Sequence, residues 1–248
     1  MRTVYEPSKN MLPKETHYCP GCSHGVAHHL LVEVLEERGE IGNALGVSPV
    51  GCSITAHQYM NIDMIESPHG RAPAVATGMK RAHPNATVFT YQGDGDLASI
   101  GGNEILHVAE RGEKIVTIFI NNAIYGMTGG QMAPTTLIGQ KATTCVKGRT
   151  LEEQGAPMRM CEIISTLDRA VYVERCSLDS PAAIRKAKRA INRAFEVQKL
   201  GLGYAFVELL SACPTNWGKT PAEAMEWIRT DMIPYYPVKQ FKCPEEVK

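Results

Sequence analysis

A chain of 248 residues is long enough to bury one substantial α/β core and short for two. Its 26 Lys and Arg balance 26 Asp and Glu, which excludes the global basic field that holds nucleic acid or an anionic membrane. No apolar run nears the ~20 residues of a spanning helix, and the polar, proline-bearing stretch 1–16 does not read as a signal peptide, so a cytoplasmic location is expected.

The elements follow in chain order. Cys19-Pro20-Gly21-Cys22 puts two thiols on a tight turn. A helix over residues 25–38 comes next, with Val26, Leu30, Val34 and Leu35 as its stripe and Gly39 as its stop. A strand at 44–48 runs into Pro49-Val50-Gly51-Cys52-Ser53. Residues 54–65 are rich in apolar side chains (Ile54, Tyr59, Met60, Ile62, Met64). Ser67-Pro68-His69-Gly70-Arg71 then leads to an apolar helix at 74–81.

A strand at 87–91 enters Gln92-Gly93-Asp94-Gly95-Asp96, and a helix spans 102–111. The next strand, 115–120, ends at Asn121-Asn122, followed by Ala123-Ile124-Tyr125-Gly126-Met127-Thr128-Gly129-Gly130-Gln131. Residues 133–155 show little periodicity and read as a long, functional loop. A strand covers 170–174. Ser180 as N-cap and Pro181 at the first helical position start a helix to about Lys199, whose basic run 185–189 reads as a solvated face. The last strand, 204–210, leads to Ser211-Ala212-Cys213-Pro214. Residues from about 218 form a C-terminal extension, and the tail after Pro234 is expected to pack on a partner. Compact strands alternating with helices predict one α/β domain over 1–248, a doubly wound, mostly parallel sheet with helices on both faces. Its functional groups belong at the carboxyl ends of the strands.

Asp94 and Asn122 each stand just past a strand end, where a parallel sheet brings them together. Magnesium takes near-octahedral oxygen ligands, and the Asp94 carboxylate, the Asn122 amide oxygen and the Ile124 carbonyl can supply three. Gly93 and Gly95 let the backbone approach a phosphate, and Gly126, Gly129 and Gly130 can expose N–H groups to anionic oxygens. Either half alone reads as a tight turn or a polar strand end. Gly-Asp-Gly followed after 25 residues by Asn-Asn matches the thiamine-diphosphate motif.

Eight cysteines are many for a reducing compartment, where thiols bind metal or stay buried rather than form disulfides. Cys19, Cys22, Cys52 and Cys213 plausibly meet at one end of the sheet, and four thiolates suit zinc or an iron–sulfur cluster; spacing does not separate the two. Cys145, Cys161, Cys176 and Cys243 show no ligand spacing and read as ordinary thiols.

With both motifs in one chain, the sequence resembles the beta, thiamine-diphosphate-binding subunits of the 2-oxoacid:ferredoxin oxidoreductases, in the 2-oxoisovalerate/2-oxoglutarate branch, over residues 14–217. The resemblance implies Asp94, Asn122 and the Ile124 carbonyl as magnesium ligands, and Gly95, Asp96, Gly126 and Met127 as diphosphate contacts. It implies Val50, Gly51, Cys52 and Ser53 beside the cofactor, His69 as a cofactor or catalytic contact, and Cys19, Cys22, Cys52 and Cys213 around a 4Fe–4S cluster. The implied reaction is thiamine-dependent oxidative decarboxylation of a 2-oxo acid to acyl-CoA and carbon dioxide, with electrons leaving through the cluster to ferredoxin.

Glu104 sits poorly for the glutamate that activates the aminopyrimidine. The resemblance assigns that group to a separate alpha subunit, with further small subunits, one ferredoxin-like. The relatives' lysine after the threonine of the turn is Gly129 here, and the apolar stretch 54–65 lies nearby. An uncharged, branched aliphatic 2-oxo acid is therefore favoured over 2-oxoglutarate. Two alternatives stand beside this reading: a non-redox thiamine decarboxylase or synthase subunit with structural zinc, and an iron–sulfur electron-transfer module without catalysis.

Overall fold

The computed structural model describes residues 6–248, so the first part of the polar stretch 1–16 lies outside the described residues. Seven strands form one sheet: β1 Ala44–Pro49, β2 Asp63–Ser67, β3 Thr87–Gly93, β4 Val116–Asn121, β5 Ala170–Ser177, β6 Tyr204–Leu210 and β7 Lys239–Lys242. Their order is β2-β1-β3-β4-β6-β5-β7, all parallel except β7, which runs antiparallel to β5. The helices are α1 His24–Glu37, α2 Ala72–Ala82, α3 Gly102–Arg111, α4 Leu151–Gln154, α5 Met160–Ser165, α6 Pro181–Lys199, α7 Pro214–Trp217, α8 Pro221–Trp227 and α9 Ile233–Tyr235.

Period-two alternation sends strand residues to opposite faces, and both faces are covered. Phe89, Tyr91, Ile118, Ile120, Val207 and Leu209 pack under Leu31 and Leu35 of α1 and Ile191 and Phe195 of α6. Val88, Phe119, Val173 and Phe206 pack on the other side, against Ala76 of α2, Val108 of α3 and Ile164 of α5. The expected doubly wound sheet is the observed fold. The α6 start follows its reading, with Ser180 Oγ accepting from the Ala183 N–H at 3.3 Å. Its basic run is partly tied down, because Lys188 reaches Glu33 and Glu37 of α1 at 2.7 Å each.

Two strands escape the sequence reading. The stretch 54–65, read as apolar and near the substrate region, is only partly core, with Ile65 exposed at its end. Tyr59, Met60 and Ile62 are buried and the chain continues into edge strand β2, because β1 needs a partner on that side. The tail, expected to pack on a partner, packs on its own chain. Strand β7 covers the β5 edge, and Val247 joins the core under α6. An unpaired β5 would be an open edge, which folded proteins cover. Among the described residues no helix is long and apolar enough to cross a membrane.

Candidate functional site

Adjacent central strands β1, β3, β4 and β6 are parallel, so their carboxyl ends form one rim. Onto it they deliver Val50–Ser53, Asp94, Asn122 and Cys213 respectively. Such a rim is where doubly wound sheets bind ligands. Val50, Gly51, Cys52, Ser53, His69, Asp94, Gly95, Asp96, Asn122, Ile124, Gly126 and Met127 line one cavity of about 110 Å³ there, together with His24 and Tyr125. The twelve expected cofactor and magnesium residues thus share one pocket.

Asp94 anchors it. Its Oδ1 accepts from the Gly95 N–H at 2.8 Å; its Oδ2 accepts from Thr135 Oγ1 at 2.7 Å and from the Ile124 N–H at 3.3 Å. Burial pushes the carboxyl up to about 6, and these donors oppose the rise. The Asn122 amide oxygen also faces the Ile124 N–H at 3.3 Å. Gly95 opens a π-helical turn, Gly95–Ile100, and a Cβ there would stand 2.1 Å from the Tyr125 ring. Only glycine lets that ring close over the turn, where Tyr125 donates its hydroxyl to the Gly95 carbonyl at 3.1 Å.

Between Asn122 and Ile124, Ala123 has φ 57°, the one left-handed non-glycine residue among the described residues. Its N–H donates to Asn121 Oδ1 at 3.2 Å, and its carbonyl accepts from Thr136 Oγ1 at 2.7 Å and Gln140 Nε2 at 3.0 Å. Asn121 Nδ2 in turn donates to Glu208 Oε1 at 2.7 Å. Glu208 and Arg175 form a fully buried ion pair at 2.9 Å, which Glu162 extends at 2.6 Å. The loop 133–155 has little regular structure, as read, yet is tightly held. Buried Arg149 donates to six carbonyls, those of Ala133, Pro134, Thr136, Gln154, Gly155 and Ala156.

Some expected roles change with the geometry. The Gly129 N–H reaches the Gly126 carbonyl at 3.5 Å and the Gly130 N–H the Tyr125 carbonyl at 2.9 Å, so both close the turn instead of facing an anion. The N–H groups of Gly126 and Met127 have no partner among the described residues. The Asp96 carboxylate is committed inside the protein. It accepts from the Gly70 N–H at 2.6 Å and Gln92 Nε2 at 2.7 Å, and His69 Nδ1 lies 2.5 Å away. Burial raises its pKa and those partners counter the rise. An anionic side chain so placed positions His69 and the turn; only its backbone can meet a diphosphate. Glu104 is tied by an ion pair to Arg71, with its Oε2 buried and without a hydrogen-bond partner among the described residues.

Beside this pocket lies a second cavity, of about 180 Å³, lined by Cys19, Cys22, Cys52 and Cys213. All four thiols are free. Burial, aided by the neighbouring thiols, pushes Cys22 and Cys52 up to about 12, and burial raises Cys213 against hydrogen bonds from Asn216. A Gly126 Cβ would stand 3.2 Å from the Cys52 sulfur and 3.6 Å from the Cys213 sulfur, so the missing side chain lets two thiols approach the turn. Among the described residues no three His, Cys, Asp or Glu side chains converge on one metal ion. The four cysteines line one volume instead of meeting at a single-ion site.

The structure adds residues that sequence reasoning passed over. Thr135 braces Asp94. Asn216 donates to the Gly126 carbonyl at 2.9 Å and lies 3.3 Å from the Cys213 sulfur, a one-turn spacing that was readable. Trp217 Nε1 donates to the Asn122 carbonyl at 3.1 Å. His24, to which no chemistry was assigned, lines both cavities. Burial, with a contribution from His17, brings its imidazole down to about 3.

The chain and its fold have known relatives. Residues 47–202 match the family described as thiamine pyrophosphate enzyme, C-terminal TPP binding domain. The chain is 48% identical over 242 residues to the ketoisovalerate oxidoreductase subunit VorA of Methanothermobacter thermautotrophicus, covering 98% of this chain and 51% of that protein. It therefore spans about half the length of that relative. It is 36% identical over 223 residues to the 2-oxoglutarate synthase subunit KorB of Methanocaldococcus jannaschii, covering 87% of this chain and 78% of that one. The fold superposes with a TM-score of 0.77 on a 2-oxoglutarate:ferredoxin oxidoreductase from Magnetococcus marinus solved with 2-oxoglutarate, coenzyme A and succinyl-CoA. The two are 25% identical over 98% of this chain and 86% of that one.

Proposed function

The chain belongs to the 2-oxoacid:ferredoxin oxidoreductase family, and from that premise we propose that it is the subunit holding magnesium–thiamine diphosphate and a four-iron, four-sulfur cluster. The enzyme it serves decarboxylates a 2-oxo acid oxidatively to acyl-CoA and carbon dioxide and passes the electrons to ferredoxin. The observation that carries the reading is the juxtaposition on one rim. A buried carboxylate and an amide oxygen line one cavity, four free thiols line the next, and Cys52, Asn122, Gly126 and Met127 belong to both.

Asp94, the Asn122 amide and the Ile124 carbonyl hold the magnesium, and the open N–H groups of Gly126 and Met127 meet diphosphate oxygens. Val50 to Ser53 and His69 border the cofactor, and Asp96 fixes the His69 ring. Cys19, Cys22, Cys52 and Cys213 hold the cluster; thiols spread around a volume suit a polynuclear group better than one tetrahedral zinc. When bound, thiamine diphosphate supplies the carbanion chemistry of decarboxylation and the cluster supplies one-electron acceptance. The chain binds, orients and insulates these groups.

The reading also requires a partner. The cofactor cavity of about 110 Å³ is well below the roughly 300–1,000 Å³ of a complete ligand site, and no glutamate lines it. An alpha subunit supplies the activating glutamate and the remaining wall, and further subunits include a ferredoxin-like one.

For the substrate, a branched aliphatic 2-oxo acid is favoured. Among the described residues no Lys or Arg lines the pocket to neutralise a second carboxylate. The relative named for ketoisovalerate, at 48% identity, supports the same choice. The assembled enzyme, purified anaerobically with its partners, should contain iron and sulfide and show its highest specificity constant for 2-oxoisovalerate among that acid, pyruvate, phenylpyruvate and 2-oxoglutarate. Zinc without iron would refute the redox reading, and a preference for 2-oxoglutarate would refute the substrate.

A further inference from the structure

His24 stands in the partition between the two cavities and, among the described residues, is the only titratable side chain other than Cys52 that lines both. Its ring is immobilised. Tyr18, which lines the thiol cavity, stacks on it with centroids 4.9 Å apart and planes 9° apart. On another side Tyr91 reaches His24 Nδ1 with its hydroxyl at 2.8 Å.

We assign the ring hydrogen from the surroundings of that contact. Tyr91 is fully buried, and its hydroxyl has no other partner among the described residues. A buried hydroxyl with one partner that can accept donates to it, so Nδ1 accepts and Nε2 carries the hydrogen. Were the ring protonated, both nitrogens would carry hydrogen, and Nε2 would still be a donor. Nε2 itself has no partner among the described residues and is not sealed off, so its N–H opens onto a cavity. The backbone N–H of His24 already points to the Cys22 sulfur, which directs this residue toward the thiol side.

We propose that His24 donates its Nε2–H to a sulfur of the iron–sulfur group in the thiol cavity, and so holds that group's reduction potential above the value the four thiolates alone would set. Hydrogen bonds to sulfur favour the more electron-rich state, and they are one of the means by which proteins adjust such potentials. His24 is a positioning and tuning residue here, and Tyr91 keeps its donor aimed. The inference rests on the cluster reading above.

The test is an anaerobic redox titration of the assembled enzyme, followed by electron paramagnetic resonance, with iron and sulfide measured for each sample. His24→Leu should keep full iron and sulfide but titrate at a lower potential than the native enzyme. His24→Gln, which can still donate, should stay near the native value. Tyr91→Phe, which frees the hydrogen to move to Nδ1, should shift in the same direction as His24→Leu, and it decides the matter if His24→Leu loses its cluster. Native protein labelled with ¹⁵N-histidine should show a nitrogen coupled to the reduced cluster, and that coupling should vanish in His24→Gln. Intact clusters at unchanged potential in both His24→Leu and Tyr91→Phe would overturn the proposal while leaving the cluster reading in place. Native enzyme without iron and sulfide would overturn the cluster reading itself.

Discussion

Ala123 shows how single residues hold the rim together. A left-handed alanine costs about 1–3 kcal/mol and persists only where its surroundings hold it. Here Asn121, Thr136 and Gln140 do so, and the turn then presents Asn122 and Ile124 on either side. Asp94 is the other half of that geometry. Asp94→Ala should abolish magnesium-dependent binding of thiamine diphosphate in calorimetry while leaving the far-ultraviolet circular dichroism unchanged; retained affinity would remove Asp94 from the site. Arg175 has a different role. Its guanidinium is wholly buried between Glu208 and Glu162, so removing it strands the buried Glu208 carboxylate, while Glu162 stays partly exposed. Breaking a buried pair from one side costs about 3–5 kcal/mol, so Arg175→Met should lower the urea midpoint by a corresponding amount. A loss under ~1 kcal/mol would mean the pair is solvated.

At the scale of elements, legibility follows locality. Helix α6 and strand β6 are readable because a Ser-Pro start, a 3.6-residue stripe and a compact apolar run are properties of neighbouring residues. Strands β2 and β7 are short, largely polar and defined by the edges they cover, so nothing local marks them. The site divides the same way. Asp94 and Asn122 were legible because their motifs sit at the ends of readable strands, and the Cys-Pro-Gly-Cys turn announces itself. Thr135 and His24 matter only through what the fold brings to them, whereas the one-turn spacing of Asn216 from Cys213 was readable. Glu208 did leave a trace, as a lone carboxylate inside an apolar strand. The loop 133–155 was recognisable by its lack of period, but its anchor, Arg149, was not. Arg149→Met should leave global stability little changed, quicken proteolysis within 133–155 and weaken cofactor binding through Thr135 and Thr136. Unaltered proteolysis would show that the loop holds without its six carbonyl contacts.

At the scale of the whole molecule, every group assigned a role hangs from one rim of the sheet, and the cofactor cavity there is shallow. Expressed alone, the chain should bind thiamine diphosphate weakly and turn over no 2-oxo acid; adding the glutamate-bearing partner should restore both. Turnover by the single chain would contradict the shared site. The partition at Gly126 carries one further consequence. With no side chain on that residue, the wall between the two cavities thins to bare backbone. Electron tunnelling falls off exponentially with distance, so on the proposed reading a glycine here lets cofactor and cluster sit close enough for rapid transfer.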